Sequence, residues 1–181
     1  MQPADFARLL AQLERAAGVW RALFTDLPAE EARRRPVDGG WSPLEILVHL
    51  LDEEREDFRP RLASTLATPG KTWDPIDPEG WVTERRYQER DPAETLQALL
   101  GERAASVRWL HELLSSWRED DTAVPWSNVY EHPVLGELTA GDLFAAWVAH
   151  DALHLRQLVK CWHQEVERSA PRNDSGYAGR W

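Results

Sequence analysis

Two histidines stand where a helix would bury its apolar face. His150 and His154 are four residues apart, so on a helix their Cβ atoms lie about 5–6 Å from each other on one side. The other members of that face, at steps of three or four residues, are Leu143, Trp147, Gln157 and Cys161. Burying an unpaired imidazole costs roughly 1–3 kcal/mol, whereas two imidazoles at this spacing can bind one metal ion. The pair therefore indicates a metal site, the alternative being two histidines hydrogen-bonded to neighbouring side chains or water.

A tight metal site needs a third ligand, and the chain has four other histidines. His163 follows His154 by nine residues, roughly 13 Å along the same helix, which is too far to share an ion. His111 lies off the apolar stripe of its helix and is expected in solvent, whereas His132, in a loop before a proline, stays open as a ligand. We favour His49, near the second turn of another helix, as the third ligand.

His49 lies at the border of an apolar helix face, about 60° from Ile46 on a helical wheel. The same flank carries three acidic residues, Glu45, Glu53 and Glu56. The pattern alone predicts an exposed side chain, which suits a catalytic ion with one side open to water. Glu53, one turn after His49, is a candidate to orient that histidine, add a ligand or act as a general base, against the alternative of a solvated flank. Gln157 is a candidate to orient a ligand or a bound water.

Four segments have the apolar periodicity of helices, and no long segment alternates like a strand. Three of them begin with a recognisable cap: Ser42 followed by Pro43, Asp91 followed by Pro92, and Thr139. Four amphipathic helices predict an all-α fold. We expect a single four-helix bundle over residues 1–168 and a polar C-terminal tail over residues 169–181.

The connections between these helices are long. Residues 68–90 are rich in proline and glycine, which predicts no helix there and lets helices two and three lie parallel. Residues 119–138 form a second long connection, with a short strand pair expected around Pro125–Leu135. In the tail, Tyr177 and Trp181 are candidates to fold back onto the bundle.

The composition narrows the classes of function. Of the 181 residues, 43% are hydrophobic and 29% are charged, as in ordinary folded proteins. A net charge of -10 repels phosphate backbones and argues against nucleic-acid binding. The apolar runs are too short to cross a bilayer. The start has no basic patch before an apolar stretch, so we expect no secretory signal, and the single cysteine, Cys161, suits a reducing cytoplasm.

Two stretches of the sequence resemble the DinB/YfiT-like superfamily of metalloenzymes. They are residues 40–50, GWSPLEILVHL, and residues 147–157, WVAHDALHLRQ. The resemblance implies an up-down-down-up four-helix bundle with a long crossover between helices two and three. It also implies a divalent metal ion, commonly zinc or nickel, held by His49 from helix two and by His150 and His154 from helix four.

The resemblance leaves three functions to compare. Characterised relatives include thiol-dependent S-transferases, a maleylpyruvate isomerase and the metal domain of sulfoxide synthases. The first expectation is therefore a metal-dependent enzyme that acts on a small molecule and activates a low-molecular-weight thiol or water. The second is a hydrolase, including a protease with Asp151 in place of the glutamate of H-E-x-x-H. The third is a non-enzymatic stress-response or binding protein whose metal site is structural or vestigial. Relatives often dimerise, so we expect a homodimer.

Overall fold

The caps predicted from the sequence begin the main helices. Ser42 and Glu45 form a capping box, in which the backbone N–H of Glu45 donates to the Ser42 hydroxyl and the Glu45 carboxylate accepts from the Ser42 N–H. Thr139 and Asp142 form a second box at the start of the last helix. The Asp91 carboxylate accepts a backbone N–H three residues further on. These side chains satisfy N–H groups that the first turn of a helix leaves without partners.

The computed structural model describes residues 1–119 and 124–179. Its helices and strands are α1 (Pro3–Phe24), α2 (Ala29–Arg33), α3 (Pro43–Glu53), α4 (Arg59–Ala67), α5 (Pro78–Glu84), α6 (Pro92–Glu119), β1 (Val129–His132), β2 (Gly136–Thr139) and α7 (Ala140–Ser169). A π-helical turn, Glu54–Phe58, joins α3 to α4 into one rod. Pro60 follows this turn and has no N–H to donate to the preceding helical turn.

Four rods, namely α1, α3 with α4, α6 and α7, form the up-down-down-up bundle that the family resemblance implies. The all-α expectation is confirmed, and the described residues contain one small two-stranded hairpin. A long crossover joins α4 to α6 and allows these two rods to run in the same direction. Within the described residues, every helix is too short or too polar to span a bilayer.

The prediction that residues 68–90 contain no helix is wrong. The Asp77 side chain accepts the backbone N–H of Gly80 at 3.0 Å and caps α5, with Pro78 at its first position. Trp81 of α5 and Tyr87 of the following 3-10 turn are both buried. They belong to a cluster with apolar residues of α2 and α3, namely Ala32, Leu44 and Val48. The crossover therefore covers the outer face of α3 and does not merely run past it.

The strand pair expected around Pro125–Leu135 exists, but it lies closer to α7. β1 and β2 pair antiparallel, with Val129 opposite Thr139. The side-chain amide of Asn128 donates to two backbone carbonyls near the end of α4, at 3.1 and 3.0 Å, and ties the hairpin to the bundle. In the tail, the Tyr177 side chain is fully exposed and does not pack on the bundle. Trp181 lies outside the described residues.

A buried polar layer separates the two main apolar clusters of the bundle. Members of the first cluster include Phe6, Leu10, Leu62, Leu110, Phe144 and Trp147. Members of the second include Trp20, Ile46, Leu47, Leu99 and Leu158. Along α6 and α7, several buried polar residues fall between the members of the two clusters: Arg103, Ser106, Asp151 and His154. Chemistry-bearing side chains from separate rods therefore meet in the middle of the bundle.

Candidate metal centre

Three imidazole nitrogens converge between α3 and α7. The Nε2 atom of His150 lies 3.2 Å from Nε2 of His49 and 2.9 Å from Nε2 of His154. One ligand atom from each of the three rings lies within 4.8 Å of the others. Nitrogens that share a tetrahedral zinc ion, at 2.0–2.1 Å each, are about 3.3 Å apart. The spacing of this histidine cluster therefore fits a shared ion.

Aromatic side chains hold the three rings in place. The Trp41 indole lies 4.8 Å from the His49 ring and is parallel to the His154 ring, with centroids 6.1 Å apart. On the other side, the Phe58 ring lies 4.9 Å from the His150 ring. Trp41 directly precedes the Ser42 cap, and Phe58 ends the π-helical turn. The residue before the α3 cap and the last residue of the π-helical turn thus form two walls around the cluster.

A hydrogen bond selects the tautomer of one ring. Nδ1 of His154 lies 2.8 Å from Oε1 of Gln157. An amide oxygen can only accept, so the ring donates its Nδ1–H and keeps a lone pair on Nε2. A lone pair on Nε2, directed at the other two histidines, is what a metal ligand requires.

Burial keeps the three rings uncharged. It lowers the pKa of His49 to about 3 and that of His150 to about 2, with a further lowering from the neighbouring histidines. The pKa of His154 is also lowered by burial, against an opposing effect of its bond to Gln157. All three imidazoles are therefore neutral at pH 7 and can act as ligands without first losing a proton.

The exposed position that the helical wheel predicts for His49 is wrong, because the side chain is only 4% exposed. Two acidic residues of the same flank, Glu45 and Glu53, are buried as well. The wheel treats α3 as having one covered face, whereas α3 is covered on more than one side. The His49 ring packs against Trp41 and against His150 and His154 of α7, and the crossover segment packs on α3 through Trp81 and Tyr87. A buried cluster still has one accessible member, since His150 is half-buried.

Glu53 lies beside the histidine cluster and holds a proton. Its Oε1 atom is 3.8 Å from Nδ1 of His49, too long for a hydrogen bond, and neither atom has a partner among the described residues. Burial, together with a hydrogen bond and a like charge from Asp57, raises the pKa of Glu53 to about 9. The alternative of a solvated acidic flank is therefore wrong for Glu53. The structure instead places an acid oxygen without a partner, Oε1 of Glu53, next to a ring nitrogen without a partner, Nδ1 of His49, among the described residues.

A network of buried ions adjoins the cluster, and nothing in the sequence analysis anticipated it. Arg103 of α6, 2% exposed, donates from Nε to both oxygens of Glu54 at 3.0 Å. It also donates to the two oxygens of Asp151 at 2.6 and 3.1 Å, and to the carbonyl of Leu13 at 3.3 Å. The Trp147 indole N–H donates to Glu54 at 3.1 Å. This arginine network links all four rods.

The arginine network removes the protease hypothesis. In an H-E-x-x-H site the acidic residue after the first histidine acts as a general base near the ion. Asp151 occupies that position here, but both of its carboxylate oxygens accept from Arg103. Its carboxylate is engaged between α6 and α7 and is not directed into the histidine cluster.

The remaining histidines lie apart from the cluster. His111 is exposed on α6 and contacts Glu14 of α1. His132 is the last residue of β1, and its Nδ1 accepts two backbone N–H groups of the hairpin turn at 3.2 and 3.1 Å. His163 lies 3.9 Å from Glu167 on the exposed end of α7. Among the described residues, the one cluster of metal-ligating type is that of His49, His150 and His154.

The fold and this cluster define a helical protein with a three-histidine centre between two rods of a four-helix bundle. Residues 12–158 match the model of the DinB superfamily. The chain therefore belongs to the DinB superfamily, as the two sequence stretches indicated.

Among solved structures, the chain is similar to YfiT from Bacillus subtilis, with a TM-score of 0.78 and 16% identity over 91% of this chain and 90% of that one. YfiT is described as a probable metal-dependent hydrolase with an unusual four-helix bundle topology. At this identity the likeness supports the fold. No curated protein matches the sequence.

Proposed function

We propose that the chain is a metal-dependent enzyme that acts on a small molecule, with His49, His150 and His154 holding one divalent ion, zinc or nickel. The observation that carries the proposal is the convergence of three neutral Nε2 atoms at 2.9 and 3.2 Å. Without an ion, these nitrogens satisfy one another poorly, because Nε2 of His150 carries either one N–H or one lone pair and cannot form a full hydrogen bond to both of the other rings.

A divalent ion at this centre would supply Lewis-acid activation of a thiol or a water molecule. The chain's own residues complete the site. Gln157 holds the Nδ1–H of His154 and so keeps the lone pair on the other nitrogen. Trp41 and Phe58 exclude water from two sides of the rings. Glu53 retains a proton close to His49 and is a candidate general acid.

We favour a low-molecular-weight thiol as the activated nucleophile, which makes the enzyme a thiol S-transferase. This form rests on the resemblance to thiol-dependent transferases. A hydrolase is the second candidate, favoured by the likeness to YfiT and its description. A non-enzymatic binding protein with a structural or vestigial metal site is the third. The homodimer and the cytoplasmic location stay predictions from the sequence.

The metal is tested first, by elemental analysis of protein purified without a histidine tag. We expect about one zinc or nickel ion per chain and its loss in His49→Ala, His150→Ala and His154→Ala. His111→Ala is the matched control, since His111 is exposed and remote from the cluster. Retention of the ion in the His150→Ala variant, or its loss in His111→Ala, would overturn the ligand assignment.

The nucleophile is tested on the metal-loaded protein. 1-Chloro-2,4-dinitrobenzene with and without added cysteine reports thiol transfer, and p-nitrophenyl acetate reports hydrolysis. A transferase needs the thiol and loses activity in His150→Ala. Turnover of the ester without thiol supports the hydrolase. Absence of both activities in protein that retains its ion favours the binding protein.

A further inference from the structure

A cavity separate from the histidine cluster lies between the end of α1, the short helix α2 and the C-terminal half of α7. Its volume is about 330 Å³, within the range of small-molecule pockets. Six side chains that supply apolar wall are Leu23, Leu27, Pro43, Leu158, Val159 and Trp162. Trp162, which is 60% exposed, presents its indole ring to the cavity as part of this wall. We name this space the α1–α7 cavity.

The charged groups at the rim of the α1–α7 cavity leave no free cation. Arg34 donates from Nη1 to both oxygens of Glu165 at 2.7 Å. Arg34 also pairs with Glu30, outside the lining, and Arg168 contacts the Glu165 carboxylate, so two arginines meet two carboxylates. The other charged side chains of the lining, Asp26 and Glu31, are acidic. An anionic ligand would therefore meet no unpaired positive charge and would be repelled by two carboxylates. An uncharged apolar ligand would gain free energy by covering the apolar walls, without removing a charge from water.

The turn between α1 and α2 forms one side of the cavity. Asp26, which follows α1, has φ of 62°, a left-handed conformation that aspartate adopts more readily than most residues with a side chain. The turn leads through Pro28 into α2, and both Pro28 and Glu31 of α2 line the cavity.

The α1–α7 cavity and the histidine cluster lie along the same face of α7, and one aromatic residue contacts a member of each. Leu158 and Cys161 follow His154 by one and two turns on the same face of α7. The Cys161 Sγ atom lies 3.6 Å from the Trp41 carbonyl, and the Trp41 ring packs on His49. Trp41 thus contacts a residue of the cavity with its backbone and the metal centre with its side chain.

We propose that the α1–α7 cavity binds an uncharged, apolar small molecule or the apolar portion of one. The inference goes beyond the proposed metal chemistry and does not depend on it. The size of the cavity, its apolar walls and its paired arginines all point to a ligand of this class.

The test uses two probes of the same ring size on the full chain, measured by isothermal titration calorimetry at pH 7. 2-Naphthol is uncharged at this pH and 2-naphthoate is an anion. We expect 2-naphthol to bind once per chain and 2-naphthoate to bind at least about tenfold more weakly. Equal affinity for the two probes, or no binding of 2-naphthol, would overturn the proposal.

A filling substitution locates the binding. Ala22 lines the cavity and is exposed, so Ala22→Trp should fold and occupy the space. We expect it to weaken 2-naphthol binding by at least about tenfold, whereas Ala104→Trp, at an exposed position on α6, leaves it unchanged. Unweakened binding in Ala22→Trp contradicts the location. His150→Ala should bind 2-naphthol like the unmodified chain, which separates this test from that of the metal centre.

Cys161 provides an independent reporter, because it is the single cysteine and lines the cavity. Burial raises the pKa of its thiol, so alkylation by iodoacetamide is slow enough to follow by mass spectrometry. Saturating 2-naphthol should slow alkylation several-fold in the unmodified chain and leave the rate in Ala22→Trp unchanged. An alkylation rate that does not respond to 2-naphthol in the unmodified chain would place the probe elsewhere.

Discussion

Two polar regions lie side by side in the middle of the bundle, and they differ in whether their buried polar groups have hydrogen-bond partners. His150 of the histidine cluster and Asp151 of the arginine network are consecutive residues of α7. Both carboxylate oxygens of Asp151 accept from Arg103. His150 is kept neutral by burial and faces two other rings with the same need for a partner. The side chains of the arginine network hydrogen-bond to one another, whereas the histidine cluster keeps ring nitrogens available to bind an ion.

The arginine network has a structural role in the bundle, whereas the histidine cluster is the candidate functional site. Arg103 binds groups of three other rods, at Glu54, Asp151 and Leu13, so it holds the bundle in register. Because Asp151 adjoins His150, the same bonds fix the rotation of α7 about its axis and hence the direction of the His150 ring. The arginine network thus positions the histidine cluster.

Removing the arginine should have the largest effect. Arg103→Met leaves two carboxylates, Glu54 and Asp151, buried without a cation, and breaking such a pair costs about 3–5 kcal/mol. We expect a loss of this size in the free energy of unfolding, measured by urea titration. Arg55→Met is the control, because Arg55 is exposed and its ion pair with Glu102 is worth about 0–1 kcal/mol. Similar losses in the two variants would contradict the structural role of the network.

Removing a ring of the histidine cluster should affect stability only when metal is present. In chelator, we expect His150→Ala to change the free energy of unfolding by less than about 1 kcal/mol, since lost packing is offset by relief of an unpaired buried group. With free zinc at a hundred times the Kd, the unmodified chain should gain about 2.7 kcal/mol and the variant nothing. Thermal or urea unfolding with and without zinc measures this. An equal gain in His150→Ala would contradict its role as a ligand.

The comparison also shows what the sequence could predict. His150 and His154 were recognisable because two imidazoles on an apolar seam violate the pattern of that seam. Arg103 violates its own seam in the same way, together with Ser106, between Leu99 and Leu110 of α6. That signal was present, but it does not name the partners of the arginine, which come from three other rods.

His49 could not be placed from periodicity alone. A wheel describes one helix and one covered face, and it assigned the acidic flank of α3 to solvent. His49 is covered by Trp41 and by the His150 and His154 rings of α7. Another part of α3 is covered by Trp81, in a helix that Asp77 caps, and by Tyr87, both in a segment rich in proline and glycine. The caps, the helices and the bundle can be predicted from local sequence patterns, whereas the burial of this side of α3 depends on contacts between residues distant in sequence.

The pH dependence of stability tests the neutrality of the cluster. Burial lowers the pKa of His49 to about 3 and of His150 to about 2, against about 6.5 in the unfolded chain. Below pH 6.5 the unfolded chain therefore binds protons that the folded chain does not. The free energy of unfolding should fall with decreasing pH by up to about 1.4 kcal/mol per pH unit for each histidine.

The measurement is urea unfolding in chelator between pH 6.5 and 5. The double variant His49→Gln/His150→Gln should flatten the pH dependence by up to about 2.7 kcal/mol per pH unit, because it removes two such groups. His111→Gln is the control, since His111 is exposed. An unchanged slope in the double variant would mean that the cluster is already protonated in the folded chain.

The smallest effect should come from the side chain that orients one ring. Gln157 accepts the Nδ1–H of His154 at 2.8 Å but is itself exposed, so we expect the low end of the usual loss in metal affinity, about tenfold or 1.4 kcal/mol, for Gln157→Leu. Gln157→Glu keeps an accepting oxygen and should restore the affinity. Competition with a fluorescent zinc chelator measures both variants. If Gln157→Glu binds zinc as weakly as Gln157→Leu, acceptance of the ring N–H is not what Gln157 contributes, and the lone pair of His154 is directed by packing against Trp41 alone.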